Sequence, residues 1–289
     1  MSKKYDFVKE EFKQEVELND KKLSRLENAK VDFSVEYKMP DFVMKVKTGS
    51  LWANIGSLGN FSCITGQAKA RKSFARFFFE AAAIKNGMLS ETFYVKLPEG
   101  KRTIIYIDTE QGKDNVKFAG QRIMKMSGVE KPINYKAYAL REYSYLERCE
   151  IIEDIVKENR NLGIMFIDGV ADLASCNNDE VEGNRVAQFL MTLTSKYNFH
   201  ILTVIHQPRS HSGATGHLGA AIEKKAESII GVSKDGDYSI IESKMLRNSA
   251  DFAPFPFLIN SEYMPELIKD DTQIPDNSFW NNNQEDAPF

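Results

Sequence analysis

Residues 61–73 read FSCITGQAKARKS, and the reading of this stretch decides the fold. Phe61–Thr65 is an apolar run of strand length, and Ser73–Lys85 is a helix-like segment without Gly or Pro. Between them stand Gly66, Gln67, Ala68, Lys69, Ala70, Arg71, Lys72 and Ser73. The phosphate-loop pattern is Gly, four residues, Gly, Lys, then Ser or Thr, and this turn meets it at Gly66, Lys72 and Ser73. Such a loop wraps backbone N–H groups around a β-phosphate, and the helix N-terminus adds a favourable dipole. Lys72 would then reach the β- and γ-phosphates, with the Ser73 hydroxyl on Mg²⁺. Arg71 departs from the pattern. It stands where the second glycine belongs, and its Cβ restricts the backbone at that point. An ordinary strand–turn–helix connection is the competing reading; the strand before and the helix after favour the phosphate loop.

Outward from this turn, apolar stretches alternate with helix-like segments. Strands are expected over Arg102–Asp108, Gly163–Asp168 and Phe199–His206, with helices over Asn115–Ser127, Tyr145–Arg160 and Val181–Tyr197. Two closing strands, Glu227–Ser233 and Tyr238–Lys244, flank the turn at Asp235 and Gly236. Continuous apolar strands alternating with helices predict an α/β fold, with a mostly parallel sheet covered on both faces. In such sheets ligands bind outside the carboxyl ends of the strands. Glu110, just past one strand end, fits a general base that polarises water. Asp168, ending IMFID, fits an acid holding Mg²⁺. Asp108 is the weaker alternative to Glu110. For each acid, capping the next helix is the competing reading, which the shared edge and the order after the phosphate loop disfavour. His206 or Gln207, at the tip of the next strand, could sense a γ-phosphate by hydrogen bonding.

The bulk composition fits a soluble globular chain: 289 residues, 42% hydrophobic, 27% charged and a net charge of −3. That balance excludes a protein coating DNA by bulk charge, although a locally basic channel stays open. Cys63, Cys149 and Cys176 have no ligand-like spacing and read as reduced thiols in the cytoplasm. The start lacks the apolar segment of a secretory signal, and no apolar run approaches the ~20 residues of a membrane span. Residues 1–48 read as a charged arm in which Phe7, Val8, Phe12 and Val16 fit one helical face; a solvated leader is the other reading. Residues 49–268 form the expected α/β domain. Residues 269–289 are a polar tail expected to be disordered, with Phe279, Trp280 and Phe289 as potential docking groups.

In order, the motifs GxxxxxKS, YIDTEQ, IMFIDGVADL and VIHQPR precede a Gly-rich loop and a strand with Lys and Arg. Over about residues 50–260 the chain resembles the RecA/DnaB-type P-loop ATPases. Within them it is similar to the RepA-like branch, which includes hexameric plasmid replicative helicases. The resemblance implies a RecA-like core, ATP and Mg²⁺ as ligands, ATP hydrolysis, and a role in plasmid or mobile-element DNA replication. It implies Glu110 as catalytic base, Asp168 as the Mg²⁺ acid, and His206 or Gln207 as sensor. It also implies a homo-oligomer, six-membered in the rings of that branch, in which Lys244 and Arg247 reach a neighbour's site; solvated strand-end charges are the other reading. Single-stranded DNA is the candidate partner. The first channel loop, Asp172–Asn184, is acidic and suits phosphates poorly; the second, Pro208–Leu218, carries Arg209, His211 and His217 with Lys224 and Lys225 following. A regulatory or scaffold ATPase without strand separation, and a low-turnover relative bearing Arg71, are the alternatives.

Overall fold

The strands that carry the acids are mostly apolar up to the aspartate that ends each, a pattern that suits a sheet covered on both faces. Thr103–Asp108 and Leu162–Asp168 are buried at every residue. A computed structural model describes residues 21–207 and 216–268, and divides the chain into two compact units, Met1–Met39 and Pro40–Phe289. In the first unit residues 21–29 form helix α1, and 30–39 are exposed. Phe7, Val8, Phe12, Val16, the tail and the loop residues Arg209 and His211 lie outside the described residues.

In the second unit the strands are β1 (Phe42–Thr48), β2 (Leu51–Ser57), β3 (Phe61–Gln67), β4 (Met88–Leu89), β5 (Phe93–Val95), β6 (Thr103–Asp108), β7 (Tyr135–Ala139), β8 (Leu162–Asp168) and β9 (His200–Gln207). They are followed by β10 (Ser228–Asp235), β11 (Tyr238–Leu246), β12 (Phe255–Ile259) and β13 (Pro265–Leu267). The helices are α2 (Lys72–Lys85), α3 (Lys113–Ser127), α4 (Tyr145–Glu158), α5 (Glu180–Tyr197) and α6 (Gly216–Lys225). The main sheet runs β13-β12-β11-β10-β3-β9-β8-β6-β7. From β10 to β7 every pairing is parallel, and β11, β12 and β13 extend the sheet antiparallel. The chain is therefore an α/β protein with a mixed, mostly parallel sheet. Among the described residues no helix is long and apolar enough to cross a membrane.

Three features differ from the sequence reading. The second compact unit starts at Pro40, ahead of residue 49, because Phe42–Thr48 is a strand. It belongs to a second, four-stranded antiparallel sheet, β2-β1-β5-β4, that the sequence reading did not anticipate. The stretch Asp172–Asn184 is not one loop: Val170–Leu173 is a 3₁₀ turn, and α5 begins at Glu180 under an Asp179 cap.

One core layer contains α2 together with side chains of both sheets; the other lies under α4, α5 and α6. Phe78 of α2 stacks on Phe93 of the small sheet with centroids 4.6 Å apart, and meets Phe257 of the main sheet edge-on at 5.7 Å. Phe78 thus joins a helix to both sheets. Phe78→Ala is expected to lower the unfolding free energy by about 3–5 kcal/mol in urea titration. A loss below about 1 kcal/mol would mean that α2 is not packed between the two sheets.

Candidate functional site

Strand β3 delivers its last residues to the carboxyl edge of the parallel strands, and the chain then turns into α2. Gly66 is required there by packing: a Cβ would lie 2.1 Å from the Val232 carbonyl oxygen. Lys69 and Arg71 both hold left-handed backbone, with φ of 67° and 69°. Such a conformation costs a non-glycine residue about 1–2 kcal/mol. Arg71 is accommodated because its side chain turns away from the loop, donating from Nη1 to the Asp237 carbonyl at 2.6 Å in the β10–β11 turn. No side chain caps the start of α2, so its first N–H groups remain available to an anion. Ser73 is the half-buried second residue of that helix.

Lys72 is only 3% exposed and donates from Nζ to the carbonyls of Gly66 (2.8 Å) and Gln67 (2.7 Å). Burial pulls its pKa from 10.5 down to about 8, against the opposing pull of Asp168 and Glu110. The amine is therefore an incompletely satisfied charge bent back onto its own loop.

The acids meet it on the same edge. Asp108 and Asp168 are register partners at the ends of β6 and β8. Asp108 caps the turn carrying Glu110, its Oδ1 accepting from the N–H groups of Glu110 (3.0 Å) and Gln111 (2.7 Å). Burial raises the Asp108 pKa, and the Tyr106 hydroxyl donates to its other oxygen. Asp108 thus positions Glu110. Thr109 ties the two strand ends together: its N–H donates to the Asp168 carbonyl at 2.9 Å and its Oγ1 to the Gly169 carbonyl at 2.8 Å. Glu110 Oε1 lies 3.4 Å from His206 Nε2. That interaction, with lesser help from the His206 and Lys72 charges, holds the Glu110 carboxyl below its usual range despite burial. His206 pairs in register with Gly66, so β9 brings it directly beside the loop.

A group that the sequence reading passed over sits beneath these. Arg76, one turn into α2 from Lys72, is 1% exposed and donates from Nε to Asp168 Oδ2 at 3.3 Å. It pairs with Glu80 one turn further on, and its guanidinium lies 3.9 Å from the Tyr106 ring centroid. Tyr135 donates to the other Glu80 oxygen at 2.5 Å. The signal was present: two opposite charges at i and i+4 inside the apolar run Phe74–Ile84.

Lys244 is near the loop but on its other flank. A cleft of about 360 Å³ there is lined by Thr65, Gln67, Lys69, Lys234, Glu242 and Lys244. Lys244 Nζ pairs with Glu242 at 2.6 Å. A larger cleft, about 590 Å³, shares no residue with it and lies by Lys47–Gly49 and Ala253–Phe255. Arg247 stands at the opposite edge of the sheet. Its N–H and guanidinium bond to the carbonyls of Glu227 and Ala226, and the N–H of Glu227 bonds to Phe61 at the start of β3. The backbone of Gln207 ends β9 in register with Gln67, and His217 is exposed on α6. The structure thus gathers Lys72, Ser73, Glu110, Asp168 and His206 on one edge, sets Lys244 beside it, and leaves Arg247 remote.

Fold and site together define an α/β protein with a lysine-bearing loop and three acids at one sheet edge. Comparison with known proteins finds no family model that matches the chain and no curated protein similar to it.

The depressed Lys72 pKa has a signed consequence. Between about 8 and 10.5 the unfolded chain holds the proton that the folded chain has released, so this group makes stability rise with pH across that window. Lys72→Met is therefore expected to raise Tm near neutral pH, with the advantage shrinking between pH 8 and 10.5 in calorimetry. A constant difference would show that the amine is not desolvated.

Proposed function

We propose that the chain is a RecA-like P-loop ATPase that binds and hydrolyses ATP and acts, helicase-like, in plasmid or mobile-element DNA replication. The observation that carries the nucleotide reading is the convergence of Lys72 and the uncapped start of α2 with Glu110 and Asp168 on one edge. Four features fit a polyphosphate: open helix N–H groups, a lysine whose hydrogen bonds among the described residues go to loop carbonyls, a glycine packed where no Cβ fits, and acids across the edge. The replication role rests on the sequence resemblance alone.

In this reading the backbone of residues 66–71 surrounds the phosphates, and Lys72 leaves its carbonyls for phosphate oxygens. Ser73 and Asp168 would hold Mg²⁺, which supplies charge neutralisation on the phosphate oxygens. Glu110, kept ionised by His206 and oriented by Asp108, accepts a proton from water. His206, beside Glu110, would sense a γ-phosphate by hydrogen bonding, and Gln207 at the same strand tip is the alternative. Arg247 is too far from its own Lys72 to serve it, because β3 spans about 20 Å between them. Its role would be in a neighbouring copy of a homo-oligomer, such as a six-membered ring. Lys244 lies by its own loop and would act within one chain.

A regulatory or scaffold ATPase without strand separation is the second reading. The acidic α5 start, with Glu180 and Glu182 in its first turn, favours it because that surface repels a phosphate backbone. Steady-state ATP hydrolysis with and without single-stranded DNA separates the two: stimulation supports the helicase-like reading, and indifference to DNA the switch.

Lys72→Ala is expected to abolish ATP binding or turnover; unchanged turnover would refute the phosphate-loop assignment. Glu110→Gln should bind ATP normally yet turn over at least about a hundredfold more slowly, the scale for a positioned base. Parental activity in Glu110→Gln would place the base elsewhere.

A further inference from the structure

The small sheet has a face that the proposed ATP site leaves unexplained. Along β1, β2 and β5 the inward positions Val46, Ala53, Ile55, Phe93 and Val95 are buried in the core shared with α2. The alternate positions point the other way and are Lys45, Lys47, Trp52, Asn54 and Tyr94. Cross-strand register sets Lys47 opposite Trp52, and Lys45 opposite both Asn54 and Tyr94. Trp52 is 41% exposed, its ring edge-on to Tyr94 at 5.6 Å, with Lys47 Nζ 5.6 Å from the indole centroid. Lys96, two residues beyond Tyr94, is exposed. The strand positions of this face carry no Asp or Glu.

We propose that this outer face of β1, β2 and β5 is a docking surface for single-stranded nucleic acid, with Trp52 and Tyr94 as stacking groups and Lys45, Lys47 and Lys96 as phosphate-binding groups.

The chemistry selects that partner. Two aromatic rings within stacking reach of each other, set among lysines on a β-surface, match what an unpaired base and its phosphate offer. A duplex hides its base faces and could use only the lysines. An acidic peptide would need the lysines but would leave the indole without a π-face partner. The surface departs from the overall charge of −3, so the basic character is local. It is also remote in kind from the acidic start of α5, which was the first expected channel surface. The inner face of the same strands packs on α2 through Phe93 and Phe78, so a strand held outside lies one sheet thickness from the helix that Lys72 begins.

The proposal does not depend on nucleotide binding, and its test keeps the two apart. A fluorescently labelled oligodeoxythymidine is titrated with the full chain at about 50 mM salt and anisotropy is read, with duplex DNA and oligouridine as parallel arms. Binding of both single strands above duplex is expected. Trp52→Ala should weaken it by about fivefold or more, and Trp52→Phe, which keeps a ring, should recover most of that. Changing Lys45 and Lys47 together to Ala should flatten the log–log salt slope by about 1.4, at about 0.7 for each phosphate no longer neutralised. A chain carrying Trp280→Phe retains Trp52 alone, and its fluorescence should be quenched by the oligomer. Lys72→Ala should bind the oligomer as the parent does, while the Trp52 and lysine variants keep nucleotide binding. No binding at low salt, equal binding of duplex, or binding unaltered by the Trp52 and lysine changes in a folded chain would overturn the proposal.

Discussion

A buried guanidinium left unpaired is strongly destabilising, and the position of Arg76 follows from that constraint. Its partners come from different parts of the chain: Glu80 from its own helix, Asp168 from the end of β8, and the Tyr106 ring from β6. Removing one member of such a group strands the others without compensation, a loss of about 3–5 kcal/mol in comparable sites. The arrangement therefore fixes the azimuth of α2 relative to the acids. Because α2 begins at Lys72, the lysine and Asp168 are held in one frame by a charge network lying a turn below the exposed edge. A purely apolar interface could have packed α2 as tightly without specifying its rotation.

The electrostatics of the edge follow from this frame. Asp108 is pushed up by burial, Glu110 is pulled down by His206, and Lys72 is pulled down by burial. Neighbouring groups are thus driven in opposite directions within a few residues, as happens where acid and base roles are divided. Asp108 and Glu110, adjacent in sequence to Thr109, end up with different duties. One is locked into backbone N–H bonds and the other is left facing His206.

Much of this was legible in the residues, for identifiable reasons. Strands β3, β6, β8 and β9 are continuous apolar runs, and such runs announce a buried parallel sheet. The acids that end β6 and β8 announce the edge. The small sheet was not legible because β4 and β5 are very short, lysines interrupt β1, and β1 pairs with β5 across the intervening β3–α2 unit. Pattern alone carries no information on such a pairing. Arg71 looked like a defect because a motif shows which residue stands at a position but not where its side chain can go; the Asp237 carbonyl supplies the outlet. Arg76 and Glu80 stand at i and i+4 in an apolar run, a spacing that shows only their pairing with each other. Their pairing with Asp168 joins residues far apart in the chain, which local spacing does not reveal. The separation of Arg247 from Lys72 likewise depends on the antiparallel return of β11, not on any feature of Arg247 itself.

The small sheet is drawn from both sides of the phosphate-loop unit: β1 and β2 come before β3 and α2, and β4 and β5 after. Residues 42–95 therefore form an uninterrupted stretch in which a helix is clasped by strands from its own neighbourhood. Every pairing of this small sheet lies within that stretch, so none of them waits for a residue beyond Val95. During synthesis this clasp can form while Glu110, Asp168 and His206 are still unmade, since chains emerge amino end first. The gripping half of the site would then be assembled as a local unit, and the acidic half would be delivered to it later by the slower closure of the long parallel sheet.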